Sequence, residues 1–450
     1  MDLLSLNALL NRYVWGPEMM LVFLAVGLYL TVRTGFVQFS KIGVIFRETL
    51  GAIRERALGA GGEITPFQAT MVALGATMGQ GNLIGVTAAI LIGGPGAIFW
   101  MWIAGILGMA TKFAEATLAV HFRQRYADGS VSGGPMFYLS RGLPKGLRWL
   151  GGLYALLAAL AAFGIGNLTQ SSAMAGSLEA AFGVPVGLTG FFVAVIAAFI
   201  LAGGVRRIAA FSQTLVPLML LGFLAAGAYA LVVHAGALAG AFAAIFQHAF
   251  GAQAAAGGAA GYALQQTLKA GVGRGIFSNE AGLGSAAIAH AQAQVDHPVR
   301  QGFWGVIEVF LDTLVVNTVM ALIVLASGVW QGAKSAPQAF VAAWDFPGGS
   351  SVAAVVLALF VFTTLVSWGF YGEEAAGFLL GDGIRWPYRI TYIVLAFVGA
   401  LGGFELLTAV ADTLNGLMAV PNLLGLVLLG GTVAGLVRGF FRGEPWRPPR

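Results

Sequence analysis

A long apolar stretch in the first half of the chain is interrupted by a polar, glycine-rich run, Gly75-Ala76-Thr77-Met78-Gly79-Gln80-Gly81-Asn82. Another apolar stretch, in the second half, is interrupted by Gly271-Val272-Gly273-Arg274-Gly275-Ile276-Phe277-Ser278-Asn279-Glu280-Ala281-Gly282. A helix that loses its hydrogen-bond ladder inside a bilayer must place the freed N–H and C=O groups against protein, water or a ligand. A matching pair of such breaks points to the substrate and ion site of a membrane transporter.

The composition places the chain in a lipid bilayer. Of its 450 residues, 58% are hydrophobic and only 10% are charged, whereas soluble domains carry about a quarter charged residues. The mean hydropathy is +0.83, and the 66 glycines suit the close approach of membrane helices. The chain has no cysteine, which excludes disulfides, thiolate metal sites and thiol redox chemistry.

The basic residues lie in short loops between apolar segments, mostly on one side of the predicted spans. This bias predicts a multi-pass protein of the cell (inner) membrane with its N-terminus outside and its C-terminus in the cytoplasm. It does not form the continuous basic stripe that binds nucleic acid, so we expect no nucleic-acid partner despite the formal charge of +5. The loops on the predicted inner side include Arg33, Arg123, Arg141, Arg206, Arg300 and Arg385.

Apolar segments long enough to cross a bilayer predict about eleven transmembrane helices in an all-α polytopic protein. They are 18–38, 65–92, 96–122, 148–182, 186–204, 208–234, 261–290, 302–330, 351–372, 387–404 and 414–438. The first is an extra span, and we number the other ten as core spans 1 to 10. The breaks fall in core spans 1 and 6, each of which opens a half of five spans, the layout of an inverted repeat. We therefore expect an N-terminal region (1–60), a first repeat (61–250) and a second repeat with a basic tail (251–450).

Two short segments near the N-terminus are amphipathic. Leu3, Leu6, Leu9 and Leu10 predict a helix lying on the membrane surface. The segment from Lys41 to Leu58 has apolar and basic faces and fits either an interfacial helix of the inner leaflet or a solvated loop helix.

Four stretches resemble the alanine or glycine:cation symporter family. They are Gly93–Gly108 (GGPGAIFWMWIAGILG), Gly133–Tyr138 (GGPMFY), Phe277–Gly302 (beginning FSNEAGLGS) and Asp412–Asn422 (DTLNGLMAVPN). The resemblance covers nearly the whole chain in the right order. It implies secondary transport of small amino acids with sodium or protons, on a leucine-transporter-like fold of 5+5 inverted repeats in which core helices 1 and 6 are discontinuous.

The resemblance implies that the first break binds the substrate. Half-helix N-termini offer free N–H groups and a positive dipole end to a carboxylate. The N–H groups around Gln80 and Gly81 would receive it, Gly79 would keep the backbone accessible, and the amide of Asn82 would lie beside it. Glycines that only let helices pack closely are the alternative. The family usually has threonine where this chain has Gln80.

Sodium, a hard cation, requires oxygen ligands. Thr363 and Thr364 lie in the middle of core span 8, and the implied fold joins adjacent hydroxyls there to carbonyls of core span 1, here those of Gly75 and Met78. Threonines in an apolar helix also commonly bond back to their own i−4 carbonyl, which is the alternative.

The remaining candidates surround the two breaks. We expect Gln170, Phe277, Ser278 and Trp368 to line the substrate pocket, although Gln170 and Trp368 fit ordinary helix packing equally well. Glu280 is an ionisable group deep in an apolar span. We expect it to hold the unwound backbone of a broken helix through hydrogen bonds, with a coupled proton as the alternative. Arg274 and Asp412 are candidates for an outer gate pair.

An enzyme or a passive channel fits the chain poorly. It has no His-Glu-x-x-His or Gly-x-Ser-x-Gly motif, and its five histidines have no ligand spacing. Nothing in it resembles a channel filter loop. We expect sodium-coupled uptake of a small neutral amino acid, alanine or glycine, by alternating access and without a cofactor. An exchanger or a proton-coupled symporter of the same fold is the alternative.

Overall fold

The computed structural model describes residues 2–53, 62–127, 129–250 and 259–449. Its α-helices are α1 (Leu3–Val14), α2 (Pro17–Arg33), α3 (Val37–Ser40), α4 (Ile42–Glu48), α5 (Pro66–Thr77), α6 (Val86–Gly93), α7 (Ala97–His121), α8 (Pro135–Gly142), α9 (Leu150–Phe163), α10 (Thr169–Phe182), α11 (Val186–Leu201), α12 (Gly204–Val233), α13 (Ala235–Ala249), α14 (Ala259–Asn279), α15 (Ala287–His290), α16 (Pro298–Val309), α17 (Thr318–Ser327), α18 (Ala336–Ala342), α19 (Gly349–Leu380), α20 (Arg385–Ala400) and α21 (Glu405–Phe441). Two short strands, β1 (Gln124–Arg125) and β2 (Val131–Ser132), pair antiparallel.

Three of the predicted spans contain a π-helical segment, in which the helical turn is wider than in an α-helix. The segments are Gly81–Gly85 before α6, Gly164–Leu168 between α9 and α10, and Phe310–Asn317 between α16 and α17. Such wide turns occur frequently at functional sites in helices.

Each of the eleven predicted spans overlaps one helix or one interrupted helix. The number of helices that cross the membrane stays a prediction. In the part of the chain that the structure describes, seven helical stretches are long and apolar enough to cross a membrane, and the bent pair of α5 and α6 adds an eighth. The protein is therefore a multi-pass, all-α membrane protein. We use the term basic face for the end of the bundle that carries Arg123, Arg206, Arg300 and Arg385.

The N-terminal helix α1 is bound to the bundle through its polar side. Asn11 Nδ2 donates to Asp412 Oδ2 at 2.9 Å, and Trp15 Nε1 donates to the Asp412 carbonyl at 3.2 Å. Leu4, Leu6, Leu9 and Leu10 of α1 remain exposed. The segment predicted from Lys41 to Leu58 forms α4 over Ile42–Glu48 and a 3-10 turn over Leu50–Ala52, and Arg54, Arg56 and Leu58 lie outside the described residues.

The first break lies where the sequence predicts it. α5 begins with Thr65, whose side chain and that of Gln68 cap each other's backbone, followed by Pro66 at the first helical position. It ends at Thr77, because the next residue, Met78, has a ψ of 86° that is not helical. The chain resumes as a helix that is bent by 55° relative to α5.

The second break begins only at the end of the glycine run that predicted it. α14 continues through Gly271–Asn279, and the helix is interrupted only from Glu280 to Ala286. Positive φ angles at Glu280 (54°), Gly282 (97°) and Gly284 (83°) reverse the chain there. Gly271 instead allows α14 to touch α7, because a β-carbon at this position would overlap the Ala97 carbonyl oxygen. Part of the run therefore serves helix packing.

Close packing of α7 against α16 depends on small residues. A β-carbon at Gly302 would come within 2.8 Å of the Phe113 ring and still closer to Thr117 Oγ1, and one at Gly305 would lie 2.9 Å from the Lys112 carbonyl oxygen. The two helices therefore meet backbone to backbone.

We predict that Gly302→Ala destabilises the protein by about 1–3 kcal/mol, because overpacking a tight contact forces the helices apart. Gly152→Ala on α9 is the matched control, since a β-carbon there meets nothing within 4 Å. Thermal unfolding in detergent measures both variants. Equal melting temperatures for the two would contradict this account of the α7–α16 contact.

Candidate substrate and ion site

The two breaks face each other in the middle of the bundle. A β-carbon at Gly81 would lie 3.3 Å from the Phe277 ring and 3.7 Å from the Ser278 α-carbon. One at Gly79 would lie 2.6 Å from Thr364 Oγ1 and 3.3 Å from Gln170 Oε1. The bare backbone of the first break is thus surrounded by α10, α14 and α19.

Asn82 connects the two breaks through hydrogen bonds. Its Oδ1 accepts from the Gly79 N–H at 3.0 Å, which satisfies one group freed by the bend. Its Nδ2 lies 2.8 Å from Ser278 Oγ, 2.6 Å from Asp312 Oδ1 and 3.0 Å from Asn317 Oδ1. All of these side chains are buried. The Asn82 amide nitrogen has two hydrogens but three oxygen neighbours, so it can donate to only two of them at once.

Asp312 and Asn317 are functional candidates that the sequence did not identify as part of the site. Both lie in the π-helical segment Phe310–Asn317, which brings them to the same side as Ser278 and Asn82. The carboxyl group of Asp312 was visible as an intramembrane charge, a default indication of function. Nothing in the sequence shows the wide turn that places Asn317 beside it. Together the four side chains form an oxygen-rich cluster that can hold a cation or an ammonium group.

Of the two threonines of α19, Thr364 makes both contacts considered for them, and Thr363 bonds within its own helix. Thr364 Oγ1 lies 3.2 Å from the Met78 carbonyl and 3.1 Å from the Phe360 carbonyl, its own i−4 group. Thr363 Oγ1 bonds to Phe360 O at 2.9 Å. Ser367, one turn further along, lies next to Gly75, and its buried Oγ has no hydrogen-bond partner among the described residues.

Gln170 and Trp368 lie on the same side of the bundle as Gly79. Gln170 Nε2 donates to the Ile165 carbonyl of the π-helical turn at 3.0 Å, while its buried Oε1 has no hydrogen-bond partner in the described structure. A β-carbon at Gly166 would overlap Trp368, so this glycine lets the indole pack against the π-helical segment between α9 and α10. Trp368 Nε1 in turn donates to Glu280 Oε1 at 3.0 Å.

Glu280 does not make the backbone contacts expected of it. In the described structure its carboxylate accepts from the side chains of Trp368 and Ser285. The unwound backbone is instead held by Glu115 of α7, which accepts from the Gly282 N–H at 2.9 Å and from Asn422 Nδ2 at 2.7 Å. Asn422 also donates to the Gly282 carbonyl. The expected type of interaction is present, but a different carboxylate makes it.

A cavity of about 560 Å³ reaches the first break from the side opposite the basic face. Gln80 and Thr169 line it together with Gln338 of α18 and Phe404 of the loop that precedes α21. Gln80 therefore stands between the break and this cavity, which is large enough to admit a small solute.

Arg274 and Asp412 line a second cavity, of about 270 Å³, beside α1. In the described part of the chain no ion pair joins them. Asp412 accepts from Asn11, and the Arg274 guanidinium lies 5.8 Å from the centre of the Phe277 ring. The two residues share a cavity without direct contact.

Known proteins are similar to this chain in both sequence and fold. The model of the sodium:alanine symporter family matches residues 2–445. The sodium/alanine symporter AgcS of Methanococcus maripaludis is 41% identical over 98% of both chains. The probable sodium/glutamine symporter GlnT of Bacillus subtilis is 35% identical over 96% of this chain and 89% of its own.

Solved structures reveal the same architecture at low sequence identity. The structure of MhsT in complex with L-phenylalanine superposes with a TM-score of 0.58 at 14% identity, covering 84% of this chain and 99% of MhsT. MhsT is a transporter of the leucine-transporter-like fold, which confirms the predicted fold class. The relatives are transporters and not enzymes. By its match over nearly its whole length, the chain belongs to the sodium:alanine symporter family.

Proposed function

We propose that the protein couples sodium entry to the uptake of alanine or glycine by alternating access. The observation that carries this proposal is the apposition of the two helix breaks, joined by Asn82 to Ser278 and Asp312. An amino acid needs donors for its carboxylate and acceptors for its ammonium group. The proposed site offers both within one buried region.

The substrate carboxylate is assigned to the N–H groups around Gln80 and Gly81, next to Gly79, which carries no side chain of its own. The ammonium group is assigned to the oxygen-rich cluster, in which Asp312 supplies a compensating negative charge. Gln170 Oε1 is a further acceptor beside Gly79. Phe277 and Trp368 bound the space for the side chain, which favours a small substrate.

Sodium is assigned to the carbonyls of Gly75 and Met78 and the hydroxyls of Thr363 and Thr364. The contact of Thr364 Oγ1 with the Met78 carbonyl supports this assignment, and Ser367 Oγ is an additional candidate ligand. The Thr364 hydroxyl contacts a carbonyl of its own helix and a carbonyl of the broken helix. It can give up its contact with the Phe360 carbonyl and bind an ion instead, without a change in helix packing.

The distribution of charge supports an orientation of the protein in the membrane. The basic face carries most of the arginines, so we assign it and the C-terminus to the cytoplasm and the N-terminus to the outside of the inner membrane. The 560 Å³ cavity then opens outward, as expected of a state that receives substrate. Arg274 and Asp412 remain candidates for an outer gate because they line one cavity together.

Uptake of labelled alanine and glycine into proteoliposomes tests the function. We expect accumulation when sodium is higher outside and none without an ion gradient. A proton gradient that drives uptake in the absence of sodium would favour the proton-coupled alternative. Labelled uptake that requires only unlabelled amino acid inside would favour an exchanger. Because one relative is named a glutamine symporter, glutamine belongs among the competitors.

We predict that Thr364→Val removes the sodium dependence of uptake while the protein stays folded, because the side chain keeps its shape and loses only its oxygen. Thr214→Val on α12 is the matched control, since Thr214 also bonds to its own i−4 carbonyl but lies on the outside of the bundle. Uptake as a function of sodium concentration distinguishes the two variants. An unchanged sodium dependence in Thr364→Val would exclude this threonine as a ligand.

We predict that Asn82→Ala weakens alanine and sodium binding together, by about tenfold or more each. The substitution leaves the Gly79 N–H unpaired and removes the bridge to Asp312, and a lost charge-assisted hydrogen bond costs about 1.5–3 kcal/mol. Binding is measured in detergent, and the Asn82→Ala protein must have a melting temperature above the temperature of the assay. Loss of only one of the two affinities would show that Asn82 does not connect the sites.

A further inference from the structure

The half-helices on the basic side of the two breaks are joined to each other through their main chains. The residues before α5 and those after α15 lie side by side, with Ile64 paired in parallel with Ala293. The Glu63 N–H donates to the Gln292 carbonyl at 2.9 Å, and the Gln294 N–H donates to the Ile64 carbonyl at 2.8 Å. We call α5, α15 and this junction the inner pair. Because backbone hydrogen bonds connect its two parts, we expect the inner pair to move as one body.

The inner pair lies between the proposed substrate site and the basic face. α5 ends at the first break and α15 follows the second. The opposite end of each half-helix leads toward the face where Arg206 and Arg300 lie. Opening of the site toward this face therefore requires that the inner pair move away from a neighbouring helix.

The β1–β2 hairpin is attached to both parts of the inner pair. The Val131 N–H donates to Glu63 Oε1 at 3.0 Å, in front of α5. A β-carbon at Gly133, the residue after β2, would overlap the Ala291 side chain, so the backbone here touches the end of α15. Arg123, just before β1, donates from Nη1 to the Ala291 carbonyl at 3.0 Å. The hairpin is thus held to the inner pair by its backbone, by close packing and by an arginine.

A hydrogen bond between two side chains joins the hairpin to α19. Ser132 Oγ donates to Glu374 Oε2 at 2.8 Å, and both side chains are buried. We call this hydrogen bond the catch. The other carboxylate oxygen of Glu374 accepts from Arg385 of α20. When the catch breaks, the carboxylate keeps this cation, so no charge is left without a partner.

The catch lies on the wall of a third cavity, of about 470 Å³. Ser132 and Glu374 line it together with Glu63 and Gln292 of the inner pair. Asp382 also lines it, and because the side chain of Asp382 is 87% exposed, the cavity opens to solvent at the basic face. Water that enters here can bond to the hydroxyl and to the carboxylate oxygen once they part.

We infer that the β1–β2 hairpin is a latch that holds the protein closed at the basic face, and that the Ser132–Glu374 hydrogen bond is the contact that breaks when this face opens. The hairpin stays with the inner pair and separates from α19. This conformational role goes beyond the proposed symport. It does not depend on which amino acid or ion the protein carries.

The reactivity of an introduced cysteine tests the inference on the purified protein without substrate or sodium. The chain has no cysteine, so Ser212→Cys on α12 supplies a single thiol. Ser212 lies one turn from Ile208, which lines the third cavity, and one turn from Val216, which lies next to Gly75 of α5. It is 1% exposed, and its Oγ has no hydrogen-bond partner among the described residues. Movement of α5 away from α12 and α19 would expose it.

The rate of reaction with a small charged methanethiosulfonate follows the population of the open form when opening and closing are fast relative to labelling. We expect Ser132→Ala to raise the labelling rate of Ser212→Cys about fivefold, the change in equilibrium expected from one net hydrogen bond. Ser140→Ala is the matched control and should leave the rate unchanged, because Ser140 Oγ bonds to the Met136 carbonyl of its own helix at 2.7 Å. Glu374→Gln keeps a weaker acceptor and should give a smaller rise, which also serves if Ser132→Ala does not fold.

A second reporter distinguishes release of the catch from a general loss of stability. Thr189→Cys places the thiol at the end of α11 that lies away from the basic face, where the side chain is 5% exposed. Its labelling rate should be the same with and without Ser132→Ala. An unchanged rate at Ser212→Cys in both Ser132→Ala and Glu374→Gln, or an equal rise at the two reporters, would overturn the inference.

Discussion

The requirement that every main-chain polar group in a membrane find a partner governs the centre of this protein. An intact helix meets it without help, whereas a break exposes donors and acceptors that lipid cannot serve. The protein meets it with buried side chains from other helices. Asn82 serves the first break, and the second is served by Glu115, Asn422 and Tyr154, whose hydroxyl donates to the Leu283 carbonyl at 3.0 Å. The breaks persist because these helices pack around them.

The two breaks solve this problem differently. The first is a bend after which the chain continues as a wide turn and a helix, so few backbone groups are freed. The second is a loop of seven residues with three left-handed conformations, followed by a helix of a single turn. The second break accordingly depends on more distant side chains, and the charged residues of α7 and α16 gather around it. This asymmetry places a buried electrostatic network on the basic side of the proposed site.

Much of this arrangement could be predicted from the sequence, and the exceptions have physical reasons. Long apolar segments identify the spans, because length and polarity alone decide what crosses a bilayer. Gly81, Phe277 and Ser278 are predicted to line one pocket, and a β-carbon at Gly81 would lie within 4 Å of the other two residues. Their role in binding stays a prediction. The extent of the second break was wrong, because a glycine that frees a helix and a glycine that lets two helices touch look the same in a sequence.

The roles of Glu115 and Asn317 were missed for another reason. Which carboxylate reaches an unwound backbone depends on how α7 lies against the break, and this is a tertiary property. Asn317 belongs to the cluster only because a wide helical turn directs it there. Glu280 was predicted to bind the unwound backbone because it is close to the break along the chain. Glu115 binds it in the structure because it is close to the break in space.

The π-helical segment Phe310–Asn317 has a consequence for how such chains diverge. Each residue of an α-helix advances the chain by about 100° around the helix axis. The wide turn therefore rotates the side chains of α17 about this axis relative to those of α16. Removing a single residue from it would restore a regular helix and rotate Asn317 away from Asp312. Relatives one residue shorter at this point would keep the span and its lipid-facing surface yet lose an oxygen from the buried cluster. Gaps in this stretch would then mark changes in what the carrier accepts.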